Sequence, residues 1–457
     1  MTTNPADIAV LGGGPAGYAT AIRATQLGLS VTLIEHDKVG GTCLHRGCVP
    51  TKALLHAAEI ADGAKQANQF GIAATFAGVD VDRLHAFKNT IVARLYQGLE
   101  GLVSNRGITV VNGTGEVSGP NTLRVADQTV HAKNIVLATG SKPRLLPGVN
   151  LSDRVLTSDQ ALQLSFVPES AIVLGGGVIG VEFASLWASL GTKVTVIEAL
   201  PRLLAGEDPF ISTHIERAFR RRRIATKTGA SVSGVQTLPD RVTVTVDGGD
   251  VFEADVLLIA AGRAPNTAVD NLSEHSIATE SGFVTTDARL RSTVPTIYAA
   301  GDIVRGPQLA HRGFQQGIFV AEEIAGLRPT PPDELGIPRI TYSHPEAASV
   351  GLTEAAARQI HGEATHFAIH DLAGNARSQI LKTAGAVKVI TSPTGAVIGV
   401  HMVGDRVGEL ISEGQLLYNL GIDASTASRF IHAHPTQSEG LGEALLAVSG
   451  APLHAHG

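Results

Sequence analysis

The chain has 457 residues, more than one hydrophobic core usually organises, so two to four domains are expected. At 44% hydrophobic and 17% charged residues it reads as globular, which excludes long disorder. A net charge of -6 spread along the chain offers no field for nucleic acid or an anionic membrane; no basic segment precedes an apolar stretch at the N-terminus and no window has the roughly 18 unbroken apolar residues of a membrane span, so a cytoplasmic protein is expected.

Residues 8 to 35, IAVLGGGPAGYATAIRATQLGLSVTLIE, run from an apolar strand into G-x-G-x-x-G, then a helical pattern and a second strand ending in Glu35. Next comes GGTCLHRGCVPTKALLHAAE, residues 40 to 59, which holds both cysteines of the chain just ahead of a helix-like run. Residues 172 to 198, IVLGGGVIGVEFASLWASLGTKVTVIE, repeat the first pattern, and Gly175 stands 23 residues before Glu198 as Gly12 stands before Glu35. These are two nucleotide-binding βαβ units. Gly12 and Gly175 permit the tight turn, Gly14 and Gly177 let a pyrophosphate approach a helix N-terminus, and Gly17 and Gly180 let helix and strand pack closely. Glu35 and Glu198 can accept hydrogen bonds from ribose hydroxyls.

Two dinucleotides imply an electron relay, and a breakable disulfide beside a flavin is a two-electron store. In a reducing compartment an isolated cysteine pair is more often catalytic or metal-binding than structural. Two cysteines without a spaced histidine pair supply too few ligands for zinc, so no metal is expected. The run RRRR at 220 to 223 closes a helical pattern in an acidic protein and is expected to be a solvated face. His454 and His456 are expected in a mobile tail.

GGTCLHRGCVPTK closely resembles the redox motif of the pyridine nucleotide-disulfide oxidoreductases. The resemblance continues through LATGSKPR (137 to 144), AAGRAPNT (260 to 267), YAAGDIV (298 to 304), YSHPEAASVGLTE (342 to 354) and HAHPTQSE (432 to 439), so it covers nearly the whole chain. It implies an α/β fold with two Rossmann-like dinucleotide-binding domains, for FAD and NAD, and a C-terminal α+β dimer-interface domain. The implied limits are 1–148 for the first part of the FAD domain, 149–265 for the NAD domain, 266–334 for the second FAD part and 335–457 for the interface domain.

Residue roles follow by the same resemblance. Cys43 exchanges with substrate sulfur, while Cys48 faces a tightly bound FAD and forms the charge-transfer thiolate; Thr42 belongs to the same motif. Lys52 approaches the flavin and Glu182 is its acidic partner. His434 is the thiol base, oriented by Glu439, and the pair serves the other subunit of a homodimer. Thr139, Gly140 and Ser141 match a flavin-contacting turn, Asp302 the acidic residue near the ribityl and phosphate region, and Gln308, Leu309, Ala310 and His311 a loop along the isoalloxazine. Gly115 matches a backbone contact to the flavin nucleotide, and Val232 and Gly262 match contacts to the nicotinamide nucleotide.

Within the family the ordered motifs are most similar to enzymes that oxidise protein-bound dihydrolipoamide with NAD and dock on the acyltransferase cores of 2-oxo acid dehydrogenase complexes. The runner-up is an NADPH-dependent reductase of a small disulfide of the glutathione or mycothiol type. Glu198 repels a 2'-phosphate and favours NAD, although Arg202 lies close by. A redox-silent binding protein on the same fold would have lost one of Cys43, Cys48, His434 or Glu439, and all are present. The chain departs from the common pattern at His45 and Arg46 between the cysteines, at RGFQQG and at Gln437, which bears on redox potential and substrate fit.

Overall fold

The computed structural model describes residues 5–267 and 271–454, and the chain divides into two compact units. The first comprises Met1–Leu54, Asp82–Arg144 and Arg263–Pro332. Its centre is a parallel sheet with Ala6–Leu11 between Val31–Glu35 and Gln128–Leu137, and Thr109–Asn112 and Ile297–Ala299 beyond them. Strands such as IAVL are apolar on both faces and require cover on each. Helix Pro15–Gln26, begun by a proline that suits a first helical turn, buries Ala16, Ala21 and Ala24 in a core shared with Phe319, Val320 and Ala321 of helix Ala310–Ile324. The two helices pack closely because Gly317 has no side chain: a Cβ there would lie 2.4 Å from the Ala16 carbonyl oxygen. The chain order reverses between Ala6–Leu11 and Gln128–Leu137, so the first glycine turn opens at a crevice of the sheet.

The second unit comprises Leu55–Val81, Leu145–Gly262 and Asp333–Gly457. It repeats the plan, with Ser170–Leu174 between Lys193–Ile197 and Val256–Ile259 and with Ala225–Lys227 and Val155–Thr157 at the edges. The antiparallel strands Val232–Thr237, Val242–Val246 and Val251–Ala254 add to its core. Its C-terminal part is an antiparallel sheet in the order Arg339–Thr341, Glu346–Gly351, Val397–Gly404, Ala386–Thr391, His366–Asp371, packed with helices Val407–Asn419 and Glu439–Val448. Two parallel nucleotide-type sheets and an α+β C-terminal part are the expected fold class. Among the described residues no helix is long and apolar enough to cross a membrane.

The expectation for Arg220–Arg223 needs a correction at one position. Arg220, Arg221 and Arg223 are exposed, but Arg222 turns inward. Its guanidinium donates to Ser185 Oγ at 2.6 Å, Ser189 Oγ at 2.6 Å and the His344 carbonyl at 3.0 Å, and pairs with Asp62 at 3.2 Å. It thereby ties the distal half of helix Cys48–Gln66 to helix Val178–Leu190. His454 is likewise held, by Glu443 at 2.7 Å, while His456 lies outside the described residues.

A buried ion cluster joins the second sheet system to the C-terminal part. Lys388 Nζ lies 3.0 Å from Asp208 Oδ1 and 2.7 Å from Glu354 Oε2, with the Lys388 and Asp208 side chains 4% and 1% exposed. Burial pushes the Asp208 carboxyl up, but the Glu354 and Phe210 N–H groups and the His401 and Lys388 charges outweigh it and hold it below the usual range. Asp208 therefore stabilises the fold above its unfolded pKa, and that contribution is lost as pH falls through its lowered folded value. Removing one partner of such a pair leaves a buried charge uncompensated. Lys388→Met is expected to lower the stability of this unit by about 3 kcal/mol or more, read as an earlier first transition in urea.

Candidate functional site

Cys43 lies in the short helix Gly41–His45 and Cys48 opens helix Cys48–Gln66, whose first turn accommodates Pro50. Both are thiols in this structure, and Cys43 is hydrogen-bonded to Cys48. That bond, then burial, then the negative charge of Cys48 push the Cys43 thiol far up, against the opposing charge of Lys52. Cys48 opens the longer helix, whose N-terminus favours an anion. Tyr18 is also pushed up, to about 12, chiefly by burial. The segment is fastened to the first glycine turn: Gly40 N–H donates to the Gly13 carbonyl at 2.8 Å. His45 Nε2 meets the Val39 carbonyl at 2.9 Å and its ring stands edge-on to Tyr96, while Arg46 pairs with Asp37 at 3.0 Å on the surface.

The two glycine turns share one geometry. A Cβ on Gly12 would lie 2.4 Å from the Ala138 carbonyl oxygen and one on Gly17 1.8 Å from the Gly12 oxygen; the equivalent distances for Gly175 and Gly180 are 2.3 Å and 1.9 Å. The middle glycines differ: a Cβ on Gly14 or Gly177 meets nothing within 4 Å. Each middle glycine caps a helix without a side-chain cap bond, so the helix N-terminus presents its backbone to an open face. Flanking glycines closed by protein and middle glycines open to the outside fit a pyrophosphate approaching both turns. Glu35 accepts from Gly13 N–H at 2.7 Å and Asp37 N–H at 2.9 Å; Glu198 accepts from Gly176 N–H and, at 2.7 Å, from Leu200 N–H. The four carboxylate oxygens are thus fixed by backbone N–H groups, and Glu35 Oε1 also lies 3.0 Å from His36 Nδ1.

The sequence left Arg202 beside Glu198 as a possible phosphate contact. Its guanidinium is committed elsewhere, donating to the Glu207 carbonyl at 2.9 Å, Ser212 Oγ at 2.8 Å and the Ala205 carbonyl at 2.8 Å. Glu198 therefore sets the charge at the end of its strand.

Thr139, Gly140, Ser141, Asp302 and Gln308 come together in the first unit. Ser141 Oγ donates to Asp302 Oδ2 at 2.6 Å, Thr139 Oγ1 donates to the Asn266 carbonyl at 2.9 Å, and Gln308 Nε2 reaches the Asp302 carbonyl at 3.5 Å. Gly140 has φ +70° with open space at its Cβ position. Leu309 caps helix Ala310–Ile324, whose first turn carries His311. Three organising residues had been missed. Arg263 Nε and Nη2 donate to Ser141 Oγ and its carbonyl, both at 2.7 Å, Asn266 Nδ2 donates to the Thr139 carbonyl at 3.0 Å, and Gln316 accepts from Gly301 N–H at 2.8 Å. Arg263 and Asn266 sit in AAGRAPNT and Gln316 in RGFQQG, so the motifs marked the places without revealing the partners. Gly115 opens the strand Gly115–Gly119, where a Cβ would strike Leu11 at 2.6 Å. Thr42 accepts from Arg46 N–H at 2.9 Å through its carbonyl, and Lys52 follows in helix Cys48–Gln66.

In the second unit Val232 begins an antiparallel strand, Gly262 follows the strand Val256–Ile259 with φ +92°, and buried Glu182 accepts from Tyr342 N–H at 3.0 Å. The same unit holds His434 and Glu439, with His434 Nδ1 2.9 Å from Glu439 Oε1 and the imidazole 71% exposed. Glu439 opens helix Glu439–Val448 and its other oxygen accepts from Thr436 N–H at 2.7 Å. Burial pushes the Glu439 carboxyl up, but the Thr436 N–H and the His434 ring outweigh it and hold it below the usual range. An anion at Nδ1 makes Nε2 the basic nitrogen of an exposed imidazole. His432, 12% exposed and paired with Glu413 at 2.9 Å, is structural. Among the described residues no group of three or more His, Cys, Asp or Glu could hold a metal ion.

Comparison with known proteins agrees over the full chain. The family model of the pyridine nucleotide-disulphide oxidoreductases matches residues 6–317, and that of their dimerisation domain matches residues 337–445. Two dihydrolipoyl dehydrogenases of Bacillus subtilis (strain 168) are 37% and 40% identical, over 98% of this chain and 99% and 97% of their own lengths. Among solved structures, LpdA from Mycobacterium tuberculosis is 28% identical with a TM-score of 0.89, covering 96% of this chain and 99% of its own. The HOCl-induced flavoprotein disulfide reductase RclA from Escherichia coli is 28% identical with a TM-score of 0.87, covering 97% of this chain and 100% of its own.

The geometry around Glu198 generates a test. Glu198→Ala is expected to weaken discrimination against NADPH by roughly tenfold, since a unit charge at contact distance is worth at least about 1 kcal/mol. Arg202→Ala should leave the NADH to NADPH ratio of kcat/KM unchanged.

Proposed function

The chain belongs to the pyridine nucleotide-disulphide oxidoreductases, flavoprotein enzymes that use FAD and NAD(H), and on that premise we propose that it oxidises protein-bound dihydrolipoamide to lipoamide with NAD+. The observation that carries the reading is the conjunction in one chain of a hydrogen-bonded thiol pair, Cys43 and Cys48, with an exposed imidazole backed by a carboxylate. A neutral dithiol is mostly protonated near pH 7 and needs a base, which a redox-silent binding protein on the same fold would not.

His434 Nε2 takes the proton of one substrate thiol. The resulting thiolate attacks the Cys43 sulfur of the Cys43–Cys48 disulfide, and the bond breaks with the electron pair leaving on Cys48. The second substrate thiol, losing its proton in turn, attacks the mixed disulfide, so lipoamide departs with its ring disulfide closed and Cys43 takes up a proton. A flavin bound at the first glycine turn would supply two-electron transfer between the thiol pair and NAD+. Gly14 and Gly177 would seat the two pyrophosphates, and Ser141, Asp302 and Lys52 would line the flavin side.

The dimerisation domain supports a homodimer in which His434 and Glu439 serve the partner's thiol pair. The domain limits 1–148, 149–265, 266–334 and 335–457 accompany this reading, as do a cytoplasmic location and docking on lipoyl domains and the acyltransferase core of a 2-oxo acid dehydrogenase complex.

Mixed dimers test the arrangement. Cys43→Ser and His434→Ala are each expected to abolish activity as homodimers, yet heterodimers of the two should recover one working site. Absence of recovered dihydrolipoamide oxidation, with heterodimers verified by mass, would overturn the shared site. His434→Ala should lower dithiol oxidation by about a hundredfold or more, the scale of a lost general base, and Glu439→Gln by less.

A further inference from the structure

His434 is exposed, so its direction depends on Glu439, and Glu439 in turn depends on Thr436. Thr436 closes the loop internally, its Oγ1 donating to the Ala433 carbonyl at 2.6 Å. One side chain from another part of the chain grips it. Asn375 Nδ2 donates to the Thr436 carbonyl at 2.9 Å, while Asn375 Oδ1 accepts from Ser378 N–H at 3.0 Å and caps helix Ala376–Leu381. The amide orientation is determined by these partners, because a flipped amide would set oxygen against the carbonyl and NH2 against the N–H. Asn375 is 8% exposed, so water is poorly placed to replace the bond.

We propose that Asn375 is a positioning residue for the thiol base: it clamps the Thr436 backbone whose N–H orients Glu439, and through Glu439 it aims the His434 imidazole at the substrate thiol. The inference rests on His434 being that base. Thr436 is held at both of its backbone polar groups, by Asn375 at the carbonyl and by Glu439 at the N–H, and the chain Asn375, Thr436, Glu439, His434 is continuous at 2.9, 2.7 and 2.9 Å. Gln437 adds only longer contacts, at 3.4 Å to Ser378 Oγ and 3.5 Å to Thr383 Oγ1.

Asn375→Asp separates the two duties of the side chain. The carboxylate still caps helix Ala376–Leu381 but turns an acceptor toward the Thr436 carbonyl. In the FAD-loaded dimer, kcat for dihydrolipoamide oxidation by NAD+ is expected to fall about ten- to a hundredfold, the scale of a misplaced catalytic group, with KM for the dithiol within twofold. The solvent deuterium isotope effect on kcat should rise, because proton removal becomes more rate-limiting. NADH oxidation by a small artificial acceptor, which needs no thiol base, should keep its parent rate. Asn375→Ala, which also removes the cap, should show the same split together with lower stability. His434→Ala measured alongside separates the two claims. If His434→Ala retains dithiol oxidation, the base assignment falls and the proposal with it. If His434→Ala loses it while Asn375→Asp stays within twofold, or if Asn375→Asp loses both activities equally, Asn375 is not a positioning residue and the base assignment stands.

Discussion

Two neighbouring thiols do not readily carry two negative charges, and the site is organised around where the single charge rests. Cys43 donates to Cys48, and the Cys48 charge, with burial, keeps the Cys43 proton in place. Backbone position favours an anion at Cys48, which opens a nineteen-residue helix, whereas Cys43 lies in a helix of five. The proposed division of labour between the sulfurs accords with that position. A separate base is required because the substrate dithiol is mostly protonated when it meets the Cys43–Cys48 disulfide.

The second constraint is repetition. The same glycine turn was built twice, with outer glycines where an added Cβ would lie within 2.4 Å of a backbone oxygen and middle glycines open. What distinguishes the two is their surroundings. The first turn is fastened to the thiol segment through Gly40 and shares its unit with the Ser141, Asp302 and Arg263 cluster. The second ends at Glu198, with Arg202 withdrawn into its own loop. On the proposed reading, one backbone device serves a resident group at one turn and an exchanging nucleotide at the other.

The fold class and the fingerprints were legible because their constraints are local: a strand, three glycines, a helix and an acidic residue at a set offset specify one another over 24 residues or so. The His434 and Glu439 pair was legible for the same reason, five residues separating partners now 2.9 Å apart. Arg222 was not, because its partners Asp62, Ser185, Ser189 and His344 are distant in sequence and a charge run alone predicts a solvated face. Arg202 illustrates the converse. Its partners are near in sequence, but only the turn of residues 203 to 212 around the guanidinium shows that it is withdrawn from Glu198. Arg263, Asn266 and Gln316 stood inside recognised motifs, yet what each side chain holds depends on strands brought together by tertiary structure.

On the proposed function the thiol pair oxidises a dithiol and passes its electrons to NAD+. Steady-state turnover of the purified FAD-loaded dimer, measured with dihydrolipoamide and NAD+ against glutathione disulfide or mycothiol disulfide with NADPH, tests it most directly. The account predicts a kcat/KM for the first pair at least about a hundredfold above the second, the discrimination expected when a site is built for one chemistry and one nucleotide charge. Preference for a small disulfide and NADPH would contradict it.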